Sequence, residues 1–97
     1  MDAKDRLLFW LLSATKGGPT RVRLLLELDR RPMNLRQLSM ALGMDYKSVQ
    51  AHTELLVKNG VLDSQGKYGA IYFISPQWEQ SEYLKELLGG KHGKKKR

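Results

Sequence analysis

The chain has 97 residues, which is enough for one domain with a single modest core. It contains no cysteine, which excludes disulfides, thiolate metal sites and cysteine nucleophiles and fits an intracellular protein. The formal net charge is +7, but five basic residues lie in the last seven positions. The other 12 basic residues against 10 acidic ones leave only +2, so charge alone does not identify a nucleic-acid-binding protein.

No segment resembles a membrane span or a secretion signal. The longest apolar run, Leu7–Leu12, is far shorter than the roughly 20 residues that a transmembrane helix needs. Asp2 and Asp5 stand where a signal peptide would be positive, and no small-residue cleavage site follows them. We therefore expect a soluble, cytoplasmic protein that does not contact membranes.

The first two predicted elements are helices. Residues 4–15 are apolar around most of a helical circumference, and such a helix must be covered on more than one side. Lys16 to Pro19, with two glycines, breaks this helix. Thr20 then caps a second helix that runs to about Asp29. Its outward residues are Arg21, Arg23 and Glu27, and its inward residues are Val22, Leu25, Leu26 and Leu28.

The next two predicted helices are joined by a short turn. Asn34 is a good N-cap, and Gln37 three residues later completes a capping box. The third helix ends near Leu42 and packs inward through Leu35, Leu38, Ala41 and Leu42. Gly43 suits the left-handed residue that closes a helix, and Asp45 caps a fourth helix that runs to about Lys58. This pattern is typical of a helix-turn-helix, which inserts its second helix into a DNA major groove.

The fourth helix has two different faces. At 100° per residue, its inward side carries Val49, His52, Leu55 and Leu56. Its outward side carries Tyr46, Lys47, Gln50, Ala51 and Glu54. The outward set is mostly hydrogen-bonding and lacks large aliphatic residues, as a surface that faces a groove should.

A hairpin, a last helix and a basic tail follow. Residues 61–64 and 70–75 favour strands on either side of a glycine-containing tip. Pro76 ends the second strand and starts a helix over about 77–88, which Gly89 and Gly90 stop. The lysine-rich tail has nothing to bury and is expected to be disordered. It would supply either nonspecific attraction to phosphates or solubility.

These elements predict a mainly α fold with a small β-hairpin wing, a winged helix-turn-helix with extra N- and C-terminal helices. We divide it into an N-terminal dimerisation helix (1–18), the winged helix-turn-helix (19–75), a C-terminal dimerisation helix (76–90) and the tail (91–97). The recognition helix covers about 45–58 and the wing 64–70.

Residues 19–75 resemble the winged-helix domain of ArsR-type transcription regulators. The resemblance rests on Pro19–Leu25 and on the spacing of the leucine, glycine and polar positions that follow: Leu38, Ala41, Leu42, Gly43, Ser48, Val49, His52, Leu55, Leu56, Gly60, Val61 and Leu62. It implies a homodimeric regulator of double-stranded DNA that reads a two-fold symmetric operator. The flanking helices are placed like the dimerisation helices of that family.

The sequence departs from that family at two points. Metal-sensing members carry cysteines near the start of the helix occupied here by Asn34 to Leu42, and this chain has none, so metal sensing at that site is excluded. Position 51 is often arginine in the family and is alanine here, which weakens the expected grip on DNA.

The resemblance implies that bases or nearby phosphates face Tyr46, Lys47, Ser48, Gln50 and Ala51, and that Lys67 and Tyr68 lie at the wing tip. The residue types agree, because lysine can bind guanine and glutamine can pair bidentately with adenine. Arg36 and Arg21 are candidate phosphate clamps at helix starts. The alternative for each is an ordinary solvated position, and for Tyr46 also packing on the preceding helix.

For His52, Glu54 and His92 we favour a structural or incidental role over a functional one. His52 falls on the inward flank, where a lone histidine is a partly buried, hydrogen-bonded residue more often than a ligand or a pH switch. Glu54 is a surface charge that points away from phosphates, with acceptance from cytosine as the alternative. The two histidines, His52 and His92, are too far apart in sequence to support a metal site.

The terminal helices supply candidate dimer contacts, namely Leu8, Phe9, Trp10, Leu12, Trp78, Tyr83, Leu84 and Leu87. Their alternative role is packing within one protomer. No nucleophile, base and phosphate-binding loop form a recognisable pattern, so we expect neither an enzyme nor a cofactor. The sequence names no effector molecule. The rival function is a protein-interaction module, which Ala51 and Glu54 favour, and RNA binding is a weaker third option.

Overall fold

The structure, a computed structural model, describes residues 2–92, and their side chains as far as residue 89. The helices are α1 (Ala3–Phe9), α2 (Gly18–Arg30), α3 (Leu35–Leu42), α4 (Tyr46–Lys58) and α5 (Glu82–His92). A π-helix (Trp10–Ala14) extends α1, and a 3₁₀-helix (Pro76–Trp78) precedes α5. Strands β1 (Leu62–Gln65) and β2 (Ile71–Ile74) form the hairpin. The mainly α fold with a small wing is therefore confirmed.

The first helix changes type along its length. Asp2 caps α1 by accepting a hydrogen bond from the Asp5 backbone at 2.9 Å. From Trp10 the chain follows a π-helix, which the prediction of one regular helix missed. In this segment the Leu11 carbonyl accepts from the Thr15 hydroxyl (3.2 Å) and from Arg21 Nε (3.0 Å). These side-chain partners account for a local change that apolar periodicity does not reveal.

α2 starts two residues before the predicted cap at Thr20. Gly17 stands at its N-cap and Gly18 is its first residue, packed against the Leu12 carbonyl so closely that a Cβ would collide with it. The helix buries Val22, Leu24, Leu25 and Leu28 and contacts the π-helix, α3, β2 and α5. α2 is therefore the central helix of the fold.

The helix-turn-helix forms as the local sequence signals predict. The Asn34 side chain accepts from the Gln37 backbone at 2.8 Å, and the Gln37 side chain accepts from the Asn34 backbone at 2.9 Å. Gly43 closes α3 in the left-handed region with φ 64°. One prediction for α3 is wrong: Ala41 is exposed, because the inward face of this short helix is filled by larger leucines.

The wing is a two-stranded antiparallel hairpin in which Leu62 pairs with Ile74 and Gln65 with Ile71. Gly66 (φ 101°) and Gly69 (φ 62°) allow the chain to reverse at the tip. Met33, just before α3, adds a bridge to Tyr72 through backbone hydrogen bonds of 3.1 and 2.8 Å. This bridge ties the base of the wing to the start of the helix-turn-helix.

The C-terminal helix differs from the predicted helix over 77–88. The chain forms a 3₁₀ turn, leaves helical structure, and begins α5 only at Glu82. Ser81 determines this start, because its hydroxyl accepts from the Leu84 backbone (3.1 Å) and donates to Asp5 (2.9 Å). α5 then continues through Gly89 and Gly90 to His92, because glycine weakens a helix without forbidding it. The predicted disordered tail reaches into this helix at 91–92, and its residues 93–97 lie outside the described residues.

One hydrophobic core extends from Leu8 to Leu88 and includes residues of every helix. Its largest fully buried side chains are leucines from α1, the π-helix, α2, α3, α4 and β1. Both terminal helices thus pack on the same core as the helix-turn-helix.

Within residues 2–92, no helix is long and apolar enough to cross a membrane.

Candidate nucleic-acid interface

The outward face of α4 is open to solvent. Tyr46 is 49% exposed, and Lys47, Ala51 and Glu54 are exposed as well. Ser48 and Gln50 are half-buried at its edges. The opposite face is fixed in the core by Val49, Thr53 and Leu56, each with no exposed surface. The predicted phase of α4 is confirmed by the buried Val49 and Leu56 and by the exposed outward residues, whereas the burial of Thr53 was not predicted.

The N-terminus of α4 is stabilised by Asp45. Its carboxylate accepts from the Ser48 backbone at 2.9 Å. Hydrogen bonds from the Ser48 backbone and hydroxyl lower the pKa of Asp45, so the cap carries a negative charge at the positive end of the helix dipole. Ser48 thus has a structural role in addition to its predicted place near DNA.

α2 helps to fix the angle between α3 and α4 through a hydrogen bond to the end of α3. Arg23 donates from Nη2 to the Leu42 carbonyl at 2.9 Å, which satisfies an acceptor at the end of α3. This bond holds the turn that contains Gly43 and therefore fixes where α4 begins. Sequence periodicity placed Arg23 on the outer surface and gave no sign of this contact.

The two arginines predicted as phosphate clamps lie in different environments. Arg36 is exposed in the first turn of α3, where it can reach a phosphate. Arg21 is only 6% exposed and its guanidinium turns into the protein, so the prediction that Arg21 contacts DNA is wrong. The physical reason is that the buried Leu11 carbonyl and the half-buried Thr15 and His52 side chains supply hydrogen-bond acceptors inside the protein.

The tip of the wing presents Lys67 and Tyr68. Both are exposed, and Tyr68 is 95% exposed between two glycines with positive φ. An aromatic side chain with so little packing contributes almost nothing to the core. The tip is therefore available for an external contact.

Sequence reasoning missed Tyr72 as a member of this surface. It is half-buried on β2, and its pKa is raised by burial first and then by the nearby Glu54 and Tyr46. Glu54 and Tyr46 of α4 therefore lie near enough to Tyr72 to act on its phenol electrostatically. The phenol of Tyr72 stays protonated and can donate a hydrogen bond. Its only sequence signal was an aromatic residue in the predicted wing strand.

The eight residues predicted at a dimer interface separate into two groups. Leu8, Leu12, Trp78 and Leu84 are buried in the core of a single protomer. Phe9 (46% exposed) and Trp10 (55%) remain on the surface, and Tyr83 and Leu87 are half-buried. The Phe9 and Tyr83 rings lie 6.2 Å apart, and the Tyr83 hydroxyl bonds to Ser13. We call Phe9, Trp10, Tyr83 and Leu87 the terminal-helix patch.

His52 lies on the inner flank of α4, as expected for a partly buried structural histidine. Its Nδ1 lies 3.1 Å from Arg21 Nη1. Burial, and then the charge of Arg21, lowers the pKa of His52, so the neutral ring is favoured. Among the described residues, no three histidine, cysteine or acidic side chains come together as a metal site.

A cavity of about 520 Å³ lies between α2, β2 and α5. Its walls are mainly apolar, from Leu28, Phe73, Trp78, Leu84 and Leu88. No lining residue belongs to α3 or α4, so this cavity is separate from the outward face of the recognition helix.

Comparison with known proteins supports the fold through structure alone. No protein-family model and no curated protein matches the chain. The transcriptional repressor BigR from Xylella fastidiosa is similar, with a TM-score of 0.69, 13% identity and coverage of 96% of this chain and 90% of that one. A probable transcriptional regulator from Pseudomonas aeruginosa gives a TM-score of 0.65 at 21% identity, covering 92% and 72% of the two chains.

A third similar structure comes from Mycobacterium bovis and is described as a homodimeric winged helix-turn-helix DNA-binding domain, possibly of an ArsR-family regulator. It has a TM-score of 0.62 and 17% identity, and the match covers 98% of this chain and 96% of that one. Together with the capped helix pair and the hairpin described above, these likenesses show that the chain has the winged helix-turn-helix fold.

Proposed function

We propose that this chain is a homodimeric, ArsR-like transcription regulator that binds double-stranded DNA in a sequence-specific way, with α4 in the major groove. The observation that carries the proposal is the exposed polar face of α4 on a helix pair whose caps and core fix its direction. A rigid helix with free hydrogen-bonding side chains is what direct readout of bases requires. The proposal involves no catalytic step, and we assign the protein to the cytoplasm.

Each side chain of the interface has a distinct role in this proposal. Lys47 and Gln50 hydrogen-bond to base edges, and Tyr46 contacts a thymine methyl or a phosphate. Ala51 leaves room for close approach of the groove wall. Arg36 and the wing-tip residues Lys67 and Tyr68 contact the backbone or the minor groove and set the register without reading sequence.

The terminal-helix patch supports the dimeric part of the proposal. Phe9 and Trp10 expose large apolar surfaces, and the Phe9 ring lies 6.2 Å from the Tyr83 ring. Aromatic residues are enriched at the centre of protein interfaces, where they bury much surface at small entropic cost. A second copy of the patch would cover it, and two-fold symmetry would then present two α4 helices to successive major grooves about one DNA turn apart.

The similar structures agree with this proposal in their described roles. One is described as a transcriptional repressor, one as a probable transcriptional regulator, and the third as a homodimeric winged helix-turn-helix DNA-binding domain. Because their identity to this chain is 21% or less, they support the function by analogy of fold.

The proposal is tested by selecting an operator from random duplexes and measuring its affinity for Lys47→Ala and Gln50→Ala. Each variant should lose about 1–3 kcal/mol of binding free energy per half-site and relax the preference at one base pair in each half-site. Lys85→Ala is the matched control, because it removes an exposed charge from α5, away from α4. Unchanged affinity and unchanged preference in both test variants would refute readout by α4.

The alternative function is a protein-interaction module without DNA readout. It is favoured by Glu54, a carboxylate that phosphates would repel, and by Ala51, which supplies no hydrogen bond. A salt series separates the two functions, because DNA binding weakens steeply as salt rises and an apolar protein contact does not.

A further inference from the structure

A buried hydrogen-bond network joins the N-terminal segment to the recognition helix. Its centre is Arg21 of α2, whose Nε donates to the Leu11 carbonyl at 3.0 Å. Its Nη2 donates to the Thr15 hydroxyl, and its Nη1 lies 3.1 Å from Nδ1 of His52 on α4. We call Leu11, Thr15, Arg21 and His52 the arginine latch.

The guanidinium of Arg21 is held by neutral acceptors. Within residues 2–92 it forms no ion pair with a carboxylate, and burial lowers the pKa of Arg21. A buried cation without a counter-charge costs free energy, which hydrogen bonds must offset. All three of its nitrogen donors are engaged, two of them by the segment between α1 and α2 and one by α4. The energetic role of Arg21 is therefore to hold these two parts together.

The absence of a side chain at Gly17 leaves the space in which Arg21 and His52 form their hydrogen bond. A Cβ on Gly17 would lie 2.7 Å from Arg21 Nη1 and 2.9 Å from His52 Cε1. Any other residue at this position would push the guanidinium and the imidazole aside. The π-helix also belongs to this arrangement, because it presents the Leu11 carbonyl to both Thr15 and Arg21.

We propose that Arg21 is a positioning residue for DNA recognition: the arginine latch fixes α4 relative to the terminal-helix patch and thereby sets the half-site spacing that the dimer accepts. This inference rests on the proposed function. Phe9 and Trp10 of the patch directly precede Leu11 in the chain, so the latch links the subunit contact to α4 over a very short path. Without the latch, each α4 still fits its half-site, but the distance between the two helices is less well defined.

The latch also depends on the protonation of His52. Nδ1 accepts from the Arg21 guanidinium only when it carries no proton, and a protonated ring would set a donor and a second cation against Arg21. Among the described residues, Arg21 of α2 is the charged group that acts on this ring, and Gly17, which lies beside the ring, is uncharged. Protonation of His52 at low pH therefore breaks the hydrogen bond between Arg21 and α4.

The first test compares spacing discrimination in the full-length protein. The selected operator is measured beside duplexes with one base pair inserted or removed between half-sites, and beside a duplex with one half-site scrambled. Arg21→Met should bind the selected operator about 2- to 30-fold more weakly and discriminate less against the altered spacings. Its affinity for the single half-site should equal that of wild type, and Arg21→Lys should recover part of the discrimination.

Thr15→Val removes the hydroxyl that accepts from Arg21 and His52→Leu removes the acceptor on α4, and these two variants keep the test decisive if Arg21→Met does not fold. Equal spacing discrimination in wild type and in the folded latch variants would overturn the inference and leave the proposed function standing. Failure of wild type to select any duplex would overturn the proposed function itself.

The second test uses pH. As pH falls below 6.5, the operator affinity of wild type should fall more than that of His52→Gln, because protonation of His52 breaks its bond to Arg21, whereas glutamine keeps an acceptor and cannot titrate. His92→Gln, which removes the other histidine, is the matched control and should follow wild type. Identical pH profiles for wild type and His52→Gln would refute the role of the neutral imidazole.

Discussion

The salt dependence of DNA binding tests which basic side chains contact phosphates. Arg36, Lys47 and Lys67 are exposed on α3, on α4 and at the wing tip. Each phosphate that a protein neutralises contributes about −0.9 to the slope of log K against log salt concentration on B-DNA. With three contacts in each protomer the slope is about −5.4, and with Lys47 on bases instead it is about −3.6.

Lys67→Gln removes one charge from each wing and so should make the slope less steep by about 1.8. Between about 50 and 200 mM salt, the affinity of wild type should therefore fall about 12-fold further than that of the variant. The measurement is fluorescence anisotropy of a labelled operator at several salt concentrations. In this experiment the parent protein and every variant carry glutamine at the four basic positions 94–97. The natural lysines and arginine there would add attraction to DNA that does not depend on the wing.

The control is Lys85→Gln, which removes the same charge from α5 and should leave the slope unchanged. An unaltered slope in Lys67→Gln would refute phosphate contact by the wing. A slope near zero in the parent protein would refute DNA binding by this face altogether.

Three further predictions concern stability, pH and assembly. Asn34→Ala should lower the free energy of unfolding by about 1 kcal/mol, because it breaks the capping box of α3. Urea denaturation measures this change, and an unchanged free energy would mean that the cap is dispensable. His52 has a folded-state pKa below its ordinary value of 6.5, so it stabilises the fold fully above that value and loses this contribution as pH falls through the lower folded value. Urea midpoints below pH 6.5 should therefore decline less in His52→Gln than in wild type, and parallel curves would contradict this. Trp10→Ser should shift the dimer towards monomer in analytical ultracentrifugation, whereas an unchanged dissociation constant would place the subunit contact elsewhere.

The recognition unit could be predicted from sequence because its determinants are local. Asn34 with Gln37, Gly43, and Asp45 with Ser48 each act within three residues or at a single φ angle. The phase of α4 follows from periodicity over 13 residues, and both its buried and its open side agree with the prediction.

The parts that sequence reasoning missed depend on contacts between distant positions. The start of α5 is set by Ser81 and Asp5, which are 76 positions apart, and the burial of Arg21 is set partly by His52, 31 positions away. Residue type also does not distinguish an apolar side chain that packs inside the protomer from one that stays on its surface. Leu8 and Phe9 are adjacent and equally suited to an interface, yet one is wholly buried in the protomer and the other is on its surface.

α2 connects the outward face of α4 to the terminal-helix patch. Arg21 and Arg23 are two residues apart and therefore point about 200° apart around the helix. Arg23 holds the end of α3 at the turn before α4, whereas Arg21 holds the N-terminal segment and the flank of α4 itself. A rotation of α2 would break both sets of bonds together, so the direction of α4 and the position of the terminal-helix patch cannot change independently. In the proposed function, this shared dependence would couple the outward face of α4 to the terminal-helix patch.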